Sequence, residues 1–89
     1  MKTYLTRWKT SDGTHSAMLN AYGIRRLMRG KILQVCVYEL ADSVDIPPIP
    51  VRAFYDWKFD KLSLFRMNGD FVEKAENGKL PFAKMGEVA

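Results

Sequence analysis

Residues 2–30 read KTYLTRWKTSDGTHSAMLNAYGIRRLMRG, and a change of rhythm inside this stretch decides the fold. Lys2–Thr10 is rich in Thr, Tyr and Trp and lacks Gly and Pro, which suits an extended, half-buried strand. It stops at Ser11-Asp12-Gly13-Thr14, where Asp-Gly favours a tight hairpin turn. The return strand is short, about Thr14–Met18, because the apolar period then changes from two to the helical value. Asn20 is placed to accept from the free amides of a helix, and Gly30 stands where a left-handed residue would end one. The expected helix covers 21–29, with Ala21, Ile24, Leu27 and Met28 on one arc and Tyr22, Arg25, Arg26 and Arg29 on another.

Downstream, Lys31–Leu40 (KILQVCVYEL) alternates with apolar residues on both sides, as in a central strand covered on both faces. Ala41–Pro50 (ADSVDIPPIP) carries three prolines and reads as an extended connector. From Val51 the alternation resumes: Val51, Ala53, Tyr55, Trp57 and Phe59 share one face of a strand, while Arg52, Asp56, Lys58 and Asp60 fall mostly on the other. Leu62–Met67 and Asp70–Lys74 flank Asn68-Gly69, a dipeptide suited to a two-residue hairpin turn with positive φ. Asn77-Gly78 would turn the chain into Lys79–Phe82, an edge segment because of Pro81.

The order β-β-α-β-β-β therefore predicts an α+β fold, a small antiparallel sheet of four to six strands with one helix packed on it. At 89 residues with 47% hydrophobic content, one compact domain is expected over 1–82, followed by a frayed tail at 83–89. No apolar run approaches the ~18 residues of a membrane span, so no membrane partner is expected. Met1-Lys2 leads into polar sequence rather than a secretory segment, and the single cysteine excludes an intramolecular disulfide. The expected compartment is the cytoplasm.

Catalytic chemistry finds little support in the residue types. His15 and Cys36 are the sole members of their kinds, too few to close a zinc site, so no metal and no cofactor are expected. Cys36 reads as a small core residue and His15 as a surface residue of the first hairpin. Gly23 and Gly30-Lys31 lack the spacing and the Ser or Thr of a phosphate loop. Asp56 and Asp60 have Lys58 between them and read as a solvated edge rather than an acid/base pair. No catalytic residues are assigned, and the chain is read as a binding protein, not an enzyme.

Charge is distributed unevenly. Residues 1–31 carry Lys2, Arg7, Lys9, Arg25, Arg26, Arg29 and Lys31 against Asp12 alone, while residues 32–60 carry Glu39, Asp42, Asp45, Asp56 and Asp60 against Arg52 and Lys58. Such asymmetry suits an anionic partner on one face. Two candidate contact surfaces result: the helix face Tyr22, Arg25, Arg26 and Arg29, whose guanidinium forks can grip phosphate or carboxylate, and the acidic residues Asp42, Asp45, Asp56 and Asp60, suited to a basic groove. Arg7 and Lys9 around Trp8 form a further basic-aromatic patch. Ile46 and Ile49 in the proline-rich loop are additional contact candidates.

The expected function is a small non-catalytic protein that docks on a host protein or nucleoprotein complex. Its size and lack of motifs resemble those of phage or mobile-element inhibitors of host nucleic-acid machinery, a CRISPR effector being one example. The alternative is a basic module that contacts the phosphates of DNA or RNA directly through the helix arginines.

Overall fold

A computed structural model describes residues 2–76. The elements are β1 (Thr3–Thr10), β2 (Gly13–Asn20), α1 (Ala21–Met28), β3 (Gln34–Glu39), β4 (Ile49–Asp56), β5 (Lys61–Arg66) and β6 (Phe71–Glu76). The six strands form one antiparallel sheet in the order β2-β1-β3-β4-β5-β6, with the helix packed on one side: a small α+β fold. The expected Lys79–Phe82 segment and the 83–89 tail lie outside the described residues.

β2 runs past the expected Met18 to Asn20 and passes into α1 with no intervening loop. Asn20 keeps extended backbone angles, and its side-chain oxygen accepts from the Gly23 amide at 2.8 Å. At the other end the helix closes through Arg29, in the right-handed region, and Gly30 does not adopt the positive φ expected of it. The Gly30 amide instead donates to the Leu27 carbonyl, tightening the last turn.

The turns also differ in detail from the dipeptide expectation. Only Gly13 (φ 129°) and Gly69 (φ 99°) take positive φ in the two hairpins, while Asp12 and Asn68 do not. At the β5–β6 turn the Asn68 side chain accepts from the Asp70 amide and Gly69 donates to the Arg66 carbonyl, giving a longer loop than two residues. The strand expected over 51–59 starts earlier, at Ile49, and ends at Asp56. Pro50 lies within it opposite Tyr38, at a position with no β5 partner, so its missing N–H leaves the β4–β5 ladder intact.

The helix touches β1, β2, β5 and β6, that is, both ends of the strand order. Likewise the Tyr4 hydroxyl on β1 donates to the Glu73 carboxylate on β6. Both facts require a sheet curled strongly about the helix, an extension of the ordinary right-handed strand twist. Inside the curl lie Tyr4, Ala21, Ile24, Val37, Val51, Leu62, Leu64 and Ala75, all buried. Each large aliphatic side chain so placed contributes about 1.5–3 kcal/mol of transfer free energy. The opposite, outer face has no second layer among the described residues. β3 is therefore central, as expected, but covered on one side only.

Candidate functional site: the outer face of the sheet

The four-residue turn that follows β4 overturns the expected apolar face there. Trp57 and Phe59 are 77% and 72% exposed rather than continuing the buried row of Val51, Ala53 and Tyr55. Asp56 Oδ1 accepts from the Lys58 amide at 3.0 Å and shapes the turn, which Asp60 ends at φ 50°. Aspartate tolerates this left-handed conformation better than most residues.

That backbone angle aims Asp60 at the helix. Its carboxylate receives Arg25 Nη1 at 2.6 Å and the Tyr55 hydroxyl at 2.6 Å, with Arg29 Nε at 3.6 Å. The Tyr55 hydrogen bond, then the arginines, hold the Asp60 carboxyl below its usual range, and the same bond raises the Tyr55 phenol. Arg25 is thus 7% exposed and belongs to the packed side, not to a free basic helix face. Arg26 and Arg29 stay exposed, and Tyr22 is half-buried against the core. Of the acidic candidates, Asp42 and Asp45 are exposed in the proline-rich loop, Asp56 lies on the outer face and Asp60 points inward. They do not form one surface.

A second ionic cluster closes the packed side. Glu39, nearly buried, receives Lys2 Nζ at 2.6 Å and Arg66 Nε at 3.0 Å. Lys2 first, then Arg66, holds its carboxyl below the usual 4.5 against the opposing effect of burial, and Arg66 is raised in turn. Burial, with the Glu73 carboxylate, drives the Tyr4 phenol well above its ordinary value. Glu39, Asp60 and Glu73 are therefore all engaged on the helix side.

The outer face has a different composition. Strand alternation and register set its residues in rows running across the strands. One row holds Ser16, Arg7 and Cys36, and then Arg52, Phe65 and Phe71. Its neighbour holds Thr14, Lys9 and Gln34, and then Phe54, Ser63 and Lys74. The two halves of each row face each other across β3 and β4, whose pairing covers Val37–Glu39 and Ile49–Val51 and stops short of both rows. Arg7, Lys9, Gln34 and Cys36 thus form one cluster on the outer face and Arg52, Phe54, Phe65 and Phe71 another. Four cations and three phenylalanines share these rows with no carboxylate.

Phe65 stands between Phe54 and Phe71, with ring centroids 5.7 and 5.6 Å away and ring planes 72° and 69° apart. Phe54 and Phe71 are each 54% exposed, an apolar surface a solitary sheet gains nothing by presenting. Toward β1 and β3 the face sinks into an open depression of about 210 Å³, lined by Arg7, Lys9, Gln34, Cys36 and Tyr38 among others. Cys36 is accordingly a partly exposed residue of the outer face and not a core residue. Trp8 projects to the other side and stacks on the exposed His15 at 5.6 Å.

The sequence pattern had singled out Arg7 and Lys9 but not Phe54, Phe65 and Phe71. The available signal was Phe54, an aromatic that alternates with Arg52 and Asp56 on the solvent side of a strand. Among the described residues no group of three or more His, Cys, Asp or Glu is placed to hold a metal ion, and no helix is long and apolar enough to cross a membrane. No protein-family model, curated protein or solved structure matches the chain.

Proposed function

We propose that this is a small non-catalytic binding protein that docks on a larger macromolecule through the outer face of its sheet. The observation carrying the reading is the pair of carboxylate-free rows in which Arg7, Lys9, Arg52 and Lys74 are interleaved with Phe54, Phe65 and Phe71. Aromatic side chains ringed by cations are typical of surfaces that bury a partner, since the rings supply rigid area and the cations orient an anionic approach. An inhibitor of host nucleic-acid machinery, encoded by a phage or mobile element and directed for example at a CRISPR effector, fits this reading, because such a face would compete for what that machinery holds. The rival contact through the helix arginines is weakened by the engagement of Arg25 with Asp60, which leaves Arg26 and Arg29 as the exposed pair.

Affinity capture from the native host, with and without nuclease, tests the reading. The captured partner should be lost with Phe54→Ser plus Phe71→Ser and kept with Arg26→Glu. The reverse pattern would move the docking surface to the helix.

A further inference from the structure

We infer that the occupant of the outer face is a single-stranded nucleic acid, laid across the strands from the β1–β3 depression to the phenylalanine cluster. This rests on the docking reading above and names its partner. Three observations carry it.

The first is charge. Among the described strand residues the acids of the outer face are Asp56 and Glu76, gathered with Lys61 at the end of the sheet nearest the β4–β5 turn, and Glu76 is paired with Lys74 at 2.8 Å. The acids of the helix side are held by Lys2, Arg25, Arg66 and Tyr4. Among the described residues Arg7, Lys9 and Arg52 form no salt bridge, and they present positive charge on one face, as a polyanionic backbone requires.

The second is the aromatic content. Phe54 and Phe71 are half exposed on the same face, and an unpaired base can stack on either ring without regard to its identity. Duplex bases are already stacked on each other and offer no such contact. The rows thus favour single strands over duplex, and backbone contact over base-specific reading.

The third is size. The depression beside Arg7, Lys9, Gln34 and Tyr38 holds about 210 Å³. That is below the ~300–1,000 Å³ of a pocket for a free cofactor or drug-sized ligand. It suits one unpaired base, with the Gln34 amide on its edge, the Tyr38 ring against it and Arg7 and Lys9 on the flanking phosphates. From β1 to β6 there are four strand spacings, at least about 19 Å in all because β3 and β4 are not paired at these rows. Nucleotides whose bases are spread onto the protein are spaced more widely than the ~3.4 Å of a duplex strand, so a strand crossing this distance needs only a few of them.

The test is fluorescence anisotropy of the full chain with labelled oligothymidylates and oligouridylates of increasing length, and with a duplex of matching length, at low salt. Affinity should climb over the first few nucleotides of length and then level off, and single strands should bind more tightly than duplex. Phe54→Ala and Phe71→Ala should each weaken binding about tenfold and leave the salt slope unchanged, since they remove stacking. Arg7→Gln and Arg52→Gln should each make the slope shallower by about 0.7. These positions are exposed, so circular dichroism should report an unchanged fold.

Absence of binding to every oligonucleotide, equal binding to duplex, or indifference to the phenylalanine variants would overturn the inference. A dimer in sedimentation that the same phenylalanine variants dissolve would give the face to a second copy and also overturn it. If capture of a nuclease-resistant partner depends on Phe54 and Phe71 while oligonucleotides fail to bind, the docking surface stands and the nucleic-acid occupant falls.

Discussion

Asp60 ends the β4–β5 turn and Arg25 lies on α1, thirty-five residues away, yet their side chains meet at 2.6 Å. The turn residue is held there by a positive φ, and the helix residue by burial. Each charge would be costly if left alone at this depth.

Arg25→Glu should therefore destabilise the fold, because it sets two carboxylates against each other on the packed side. Arg26→Glu, one residue further on an exposed position, should change stability by no more than about 0.5 kcal/mol. Urea unfolding followed by tryptophan fluorescence separates the two. Equal effects would mean that Arg25 is not an internal partner of Asp60.

Trp57 and Leu64 make a second contrast. Trp57 is 77% exposed and Leu64 is fully buried. Trp57→Ala should cost no more than about 0.5 kcal/mol, while Leu64→Ala should cost about 2–5 kcal/mol through lost transfer energy and the cavity left behind. Chemical denaturation of both variants measures the difference, with circular dichroism as the probe because Trp57 itself is removed.

Acid should unfold the protein through Glu39 and Asp60. Both carboxyls are held below their ordinary values in the folded state, Glu39 chiefly by Lys2 and Asp60 chiefly by Tyr55. Their contribution is fully present above the ordinary carboxylate range and is lost as pH falls through the lower folded-state values. Stability should thus begin to drop near pH 4.5, the usual value for Glu39, and keep falling below it. Glu39→Gln should be less stable at pH 7 and show a flatter acid limb, measured as melting temperature against pH.

Gly69→Ala should cost about 1–2 kcal/mol, because φ 99° strains any residue that carries a Cβ. No atom would obstruct the added carbon, so the loss is one of backbone conformation alone. Comparison of thermal midpoints with Met67→Ala, an exposed residue of the same turn without a positive φ, isolates that contribution.

Much of the fold was legible because its signals are local. The two-residue alternation of Lys2–Thr10, the helical spacing of Ile24, Leu27 and Met28, and the Asn68-Gly69 turn each depend on neighbours within a few positions. Trp57 and Phe59 misled because they continue the parity of Val51, Ala53 and Tyr55, and parity cannot register that the strand has ended. The burial of Arg25 was invisible for a different reason: its partner Asp60 arrives from a distant turn. The outer face escaped notice because its rows run across strands, bringing Arg7, Arg52 and Phe71 onto one face that no stretch of sequence contains.

Asn20 is both the last residue of β2, opposite Thr3, and the cap whose side chain holds the Gly23 amide. The joint between strand and helix accordingly has no slack. One residue inserted between Leu19 and Asn20 would swing the helix by about 100° about its axis, turning Ile24 away from Leu62 and Leu64, or else slip β2 by one and reverse its faces. The edge strand and the helix are geared together, so opening of one should loosen the other, and their amides should exchange with solvent as a single unit.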